Sequence, residues 1–174
     1  MRRVSLLIIL FSVLALTAQQ ALATSVHWKH GSPQFTDNGL TLTETGTLSG
    51  VGNGDLLVTL TATGNPTSVC SNKGQHQPPG QNPAPVTLTG SESIPSSAIK
   101  NGNADYNVIT NAPVSPIPGA PDCPNSNWTE TITDVAFTSA SLSVEQNSAV
   151  VFTGTCTFIT PTSNGSVPSS NFTC

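Results

Sequence analysis

Charged and aromatic residues are scarce in this chain of 174 residues. It holds 5 Lys and Arg against 9 Asp and Glu, and only two Trp and one Tyr. Proteins bind nucleic-acid backbones through clustered Lys and Arg, so the sequence predicts no nucleic-acid partner. It also lacks a basic amphipathic segment of the kind that binds an anionic membrane surface.

Catalytic motifs are also absent from the sequence. It has no GxSxG, no HExxH, no P-loop and no GxGxxG after a strand. A glycosidase needs two cooperating carboxylates, but the four glutamates are scattered along the chain. Glu44 and Glu130 fall at inward positions of their segments, and we expect the rim or an edge of the fold to accommodate them. The sequence predicts no enzymatic activity and no cofactor.

The first 23 residues read as a signal peptide. They contain two arginines, an apolar run from Val4 to Leu16, and an Ala-Leu-Ala cleavage sequence that ends at Ala23. The apolar run is shorter than the roughly 20 residues that span a bilayer. We therefore expect a mature chain, Thr24 to Cys174, that is a single domain without a membrane span, secreted or held at the cell surface.

Four cysteines and no CxxC pair favour structural disulfides over a metal site. An even number of cysteines is typical of exported domains, although four cysteines allow three pairings. We favour Cys70 with Cys123, which would join two proline-rich loops. The second pair is then Cys156 with Cys174, which would fasten the chain terminus.

Alternation of apolar and polar residues predicts the fold class. The stretches "LTLTETGTLSG" and "DLLVTLTATG" place leucines on one face and threonines on the other, and we expect them to form a hairpin across "GVGNGD". Similar stretches recur up to the C-terminus, while no stretch of the mature chain has helical periodicity. The prediction is an all-β antiparallel sandwich of about eight to nine strands, broadly immunoglobulin-like, with its topology open.

Two cysteine-containing stretches, "CSNKGQHQPPGQNPAPVTLTGS" and "CPNSNWTETITDVAFTSASLSVEQ", resemble a group of small secreted bacterial all-β proteins that is uncharacterised. The resemblance covers about Asp37 to Gln146. It implies export and a sandwich fold, and it carries over no functional residue. The tail with Cys156 and Cys174 departs from the pattern of the group.

Metal ligands are not grouped in the sequence. His27 and His30 would point to opposite faces of a strand, while Asp55 and Asp105 lie in Asn-Gly stretches that are typical of turns. We therefore predict no metal site. Because the resemblance is to bacterial proteins, we expect the glycosylation sequons to be unused; these begin at Asn127, Asn164 and Asn171.

The functional hypothesis is a secreted, non-catalytic structural or interaction domain whose partner is unknown, with a cell-wall polymer and a surface protein as the kinds considered. The alternative is a carbohydrate-binding module that stacks sugars on exposed aromatic rings, for which the candidates are Trp28, Trp128 and Tyr106. The loop "CSNKGQHQPPGQNPAP" contains Lys73 and His76, but its four prolines indicate a stiff surface loop tethered at Cys70.

Overall fold

The computed structural model describes residues 26–74, 83–116, 123–125 and 127–174, and it confirms the β-sandwich. Two five-stranded antiparallel sheets pack face to face, so the described residues form ten strands, where the sequence predicted eight or nine. In chain order the strands are β1 His27–Trp28, β2 Gln34–Asp37, β3 Leu42–Ser49, β4 Leu56–Ser71, β5 Val86–Ile94, β6 Asn103–Ile109, β7 Thr129–Gln146, β8 Ala149–Phe158, β9 Gly165–Val167 and β10 Phe172–Thr173. The described residues also form two 3-10 turns, Ser96–Ala98 and Ser169–Asn171.

Sheet A consists of β1, β2, β3, β6 and β9, with β3 at its centre. β6 pairs with one side of β3 over its whole length, while β1 and β2 share the other side, and β9 pairs with β2. Sheet B has the order β10-β8-β7-β4-β5. Its central strands β4 and β7 pair along 16 residues of β4, with two register shifts.

The alternation along each strand places the core between the sheets. Leu42 and Leu48 of sheet A and Val58 and Leu60 of sheet B are fully buried on the facing sides. The neighbouring threonines point away from the core because successive side chains of a strand alternate between faces. At one end of the core, Phe35 of sheet A meets Phe158 and Phe172 of sheet B edge to face.

The predicted hairpin between β3 and β4 is wrong. β3 pairs only within sheet A and β4 only within sheet B, so the intervening residues 50–55 cross from one sheet to the other. Both strands have an apolar face to bury, and each buries it in the core between the two sheets, which pack roughly 10 Å apart. Val51, buried in this connection, contributes to the same core.

A true hairpin joins β7 to β8. Asn147 and Ser148 form its two-residue loop, and both have positive φ angles, 52° and 63°. These angles are those of a type I′ turn, whose twist suits an antiparallel pair. Glu145 pairs with Val150 and Val144 with Phe152, which leaves Val151 as a bulge.

Both disulfide pairings are confirmed. Cys70 bonds to Cys123 across 53 residues of sequence, and Cys156 bonds to Cys174 across 18. Two disulfides fit an extracellular protein. Within the described residues, no helix has the length and apolar character to cross a membrane. The predicted signal peptide, residues 1–23, lies outside the described part of the chain, as does His76.

Candidate functional site

The outer face of sheet B carries a regular array of hydroxyl side chains. Its ladders align β5, β4, β7 and β8 so that outward-facing residues lie in three rows of four. From one end to the other, the rows are Ser91, Thr59, Ser143 and Thr153; Thr89, Thr61, Ser141 and Thr155; and Thr87, Thr63, Ser139 and Thr157. We call these residues the hydroxyl face.

Every residue of the hydroxyl face is Thr or Ser, so the array contains no charge and no aromatic ring. Side chains on the outer strands β5 and β8 are exposed, and those on the central strands are half-buried between their neighbours. Some hydroxyls meet across the strands: Thr63 and Thr87 lie 3.3 Å apart, and Ser141 and Thr155 lie 3.2 Å apart. Threonine is stiff about its first side-chain torsion, so these strands hold their hydroxyls in fixed directions.

The aromatic residues proposed for sugar stacking do not form an exposed platform. Tyr106 is only 4% exposed and belongs to the core, so it has no ring face for a ligand. Trp28 is half-buried and packs edge to face on Phe152, with ring centroids 5.0 Å apart. Its indole also covers Gly154 so closely that a Cβ at this position would clash with the ring. These two rings therefore help to close the sandwich.

Trp128 is the remaining aromatic candidate. It lies one residue before β7, half-buried, in a turn closed by a hydrogen bond from its backbone N–H to the carbonyl of Asn125. Its neighbour Asn127 lines a polar recess of about 590 Å³ together with Asn72 and Lys73. A recess of this size is large enough for a sugar unit.

Glu44 is buried in the core of sheet A, contrary to the rim placement that we expected. The Tyr106 hydroxyl donates a 2.9 Å hydrogen bond to its Oε1, and the Trp28 indole N–H donates one of 2.9 Å to the Tyr106 hydroxyl. Burial raises the pKa of Glu44 from 4.5 to about 7, and the hydrogen bond from Tyr106 lowers it in part. Burial and the nearby Glu44 also raise the pKa of Tyr106.

Glu130 is the second buried glutamate, and it too corrects the expectation of an edge position. It belongs to β7 of sheet B, where Cys70 lies opposite it, and its Oε1 accepts a 2.8 Å hydrogen bond from the Ser68 hydroxyl. Glu44 and Glu130 thus belong to different sheets, and each has its own hydroxyl donor. The sequence signal for both was a charged residue at an inward position of an alternating strand.

The residues weighed for metal binding are not brought together. Asp55 accepts a 2.7 Å hydrogen bond from the backbone N–H of Ser96, which lowers the pKa of its carboxyl, and Asp105 accepts one of 2.6 Å from the Thr47 hydroxyl. His27 lies exposed in β1. Across the described ranges, no group of three or more His, Cys, Asp or Glu side chains is placed to hold a metal ion.

Comparison with known proteins does not extend the description of the site. No protein-family model matches the chain, and no curated protein matches it. The resemblance to secreted bacterial all-β proteins therefore stays a prediction.

Proposed function

We propose that this chain is a secreted, non-catalytic interaction domain that binds its partner through the hydroxyl face. The observation that carries the proposal is the array itself: three rows of Thr and Ser held in register across four strands of one sheet. A hydroxyl both donates and accepts hydrogen bonds, so the array can meet a polar, uncharged surface without desolvating a charge.

The two buried glutamates have structural roles within their own sheets. Glu44 is bonded to Tyr106, and Glu130 is bonded to Ser68, so each carboxyl contributes to packing within its own sheet. The Cys156–Cys174 disulfide holds the C-terminal segment against β8, next to one edge of the hydroxyl face. A rigid frame of this kind presents a surface at little entropic cost.

The proposal is tested by co-sedimentation of the purified protein with insoluble cell-wall polymers. We expect Thr61→Lys, in the middle row, to abolish binding. Thr45→Lys is the matched control, because Thr45 is a half-buried threonine on the central strand of sheet A that points outward from the opposite side. Equal binding by both variants would refute a role for the hydroxyl face. Turnover of an ester, peptide or glycoside that one point substitution abolishes would overturn the non-catalytic assignment.

A second candidate function is carbohydrate binding at the recess beside Trp128. The observation that favours it is a recess lined by Asn72, Lys73 and Asn127, with the half-buried Trp128 next to Asn127 in the chain. In the same co-sedimentation experiment, Trp128→Ala would abolish binding and Thr61→Lys would leave it intact. The two variants thus separate the two surfaces.

A further inference from the structure

We infer that the hydroxyl face binds the surface of ice. This inference rests on the proposed function, because it names the partner of the same face. It follows from three properties of the array: its two-dimensional repeat, its chemistry, and the way the strands hold it.

The hydroxyl face repeats in two directions. Neighbouring strands place residues about 4.8 Å apart, and alternate residues along a strand lie about 6.7 Å apart. The ladders keep these intervals over three rows and four strands, because none of their register shifts falls within the array. A partner that contacts the whole face must present polar groups at similar intervals in two directions. The oxygen lattice of ice does so.

The chemistry of the array disfavours other ordered partners. Minerals and acidic polymers are bound through charged side chains, and the array has none. Sugar polymers that are bound by stacking need aromatic rings, and the array also has none of these, so a polymer could engage it only through hydrogen bonds to the hydroxyls. Eight of its twelve residues are threonine, which carries a methyl group beside its hydroxyl. Such a surface can order water through its hydroxyls while its methyl groups fill the spaces between them.

The order within the array lowers the cost of binding a solid. Thr61 is held between Thr89 and Ser141 of the adjoining strands, and a β-branched side chain loses little freedom when it is immobilised.

The twist of the sheet limits how much of the array can bind. Adjacent strands are rotated by about 20–25°, so a flat crystal plane can match only part of the array at one time. We therefore expect the protein to inhibit recrystallisation of ice more strongly than it lowers the freezing point.

The experiment is ice-affinity partition of the purified, disulfide-bonded protein. Ice is grown slowly in a dilute solution, and the protein concentrations in ice and in liquid are compared, together with the grain size of annealed polycrystalline ice. We expect enrichment of the parent protein in ice. Thr61→Lys should reduce it at least about tenfold, which corresponds to ~1.4 kcal/mol. Thr61→Val, which removes only the hydroxyl, should reduce it less, and Thr45→Lys should leave it unchanged.

Circular dichroism identifies any variant that fails to fold, and Thr155→Lys, on the exposed strand β8, then replaces Thr61→Lys. The inference is overturned if ice excludes the parent protein or if Thr45→Lys loses as much enrichment as Thr61→Lys. Exclusion from ice combined with binding to a polymer that Thr61→Lys abolishes would overturn the ice inference and leave the proposed function standing. If Thr61→Lys retained both ice binding and polymer binding, the ice inference and the proposed function would both be overturned.

Discussion

The two sheets of the sandwich each bury one glutamate but differ in the polar groups on their outer sides. Sheet A holds a glutamate on its inner side, and its outer side mixes charge, amide and apolar groups in Asp105, Asn107 and Ile109. Sheet B is apolar along the middle of its inner side, for example at Leu60 and Leu142, holds the buried Glu130 near one end of β7, and carries only hydroxyls over the array outside. We expect Glu44 of sheet A to make stability depend on pH, and the binding surface that we propose lies on the outer side of sheet B.

The largest effect on stability should come from the inner side of sheet B. Leu60 is fully buried, so Leu60→Ala removes its packing and leaves a cavity, and we expect the free energy of unfolding to fall by about 4 kcal/mol. The adjacent Thr61 points outward, so Thr61→Ala should lower the free energy of unfolding by less than about 1 kcal/mol. Urea denaturation of both variants measures the contrast. Similar losses in the two would mean that the outer side of sheet B is as important for folding as the inner side.

The second effect on stability is a pH dependence that should come from Glu44, on the inner side of sheet A. The folded state keeps the Glu44 proton up to a pH of about 7, whereas the ordinary carboxyl loses it near 4.5. The folded state therefore binds more protons over this interval, and the free energy of unfolding should fall by about 3 kcal/mol as the pH rises from 4.5 to 7, then level off. Glu44→Gln, which cannot ionise, should lack this loss.

Urea denaturation at a series of pH values compares the two proteins. Tyr106→Phe provides a second comparison, since it removes the hydrogen bond that lowers the pKa of Glu44. We expect the fall in stability to extend to higher pH in that variant. Parallel profiles for the parent protein and Glu44→Gln between pH 4.5 and 7 would contradict the assignment of the pH dependence to sheet A.

The sequence could predict the local features of the fold but not the long-range ones. Alternation within a strand is a local property, so the inward leucines of β3, Leu42 and Leu48, could be identified. The cysteine count indicated two disulfides, and the pairing that we favoured among the three possible ones is the one observed. Membership of a sheet is a long-range property. β3 and β4 looked like a hairpin because the residues between them are turn formers, but the two strands belong to different sheets that bury their apolar faces in one core.

The burial of Glu44 could not be predicted for a related reason. Its hydroxyl partner, Tyr106, lies 62 residues after Glu44 in the sequence and 78 residues after Trp28. Without these partners a charged residue at an inward position belongs at a rim, since burial without a hydrogen bond is costly. The hydroxyl face of sheet B could not be predicted either, because its rows form only when the four strands are in register.

A third and smaller effect concerns Trp28, which links β1 to the inner side of sheet A. Trp28→Phe keeps a ring that can pack near Phe152 but removes the hydrogen bond to the Tyr106 hydroxyl, so we expect a loss of about 1 kcal/mol. Trp128→Phe is the control, because that indole has no part in the hydrogen bonds to Glu44. Denaturation monitored by fluorescence of the remaining tryptophan measures both. An equal loss in the control would mean that the hydrogen bond is not the cause.

The smallest expected change in stability is on the hydroxyl face, where the expected change in binding is largest. A lysine at position 61 can extend its charged end into solvent, so Thr61→Lys should alter the free energy of unfolding by no more than about 1 kcal/mol, as should Thr45→Lys on sheet A. Thermal or urea denaturation of the two variants makes the comparison. A much greater loss for Thr61→Lys would show that the array serves the folding of sheet B. Matched stabilities with unequal binding would separate presentation of a surface from maintenance of the fold.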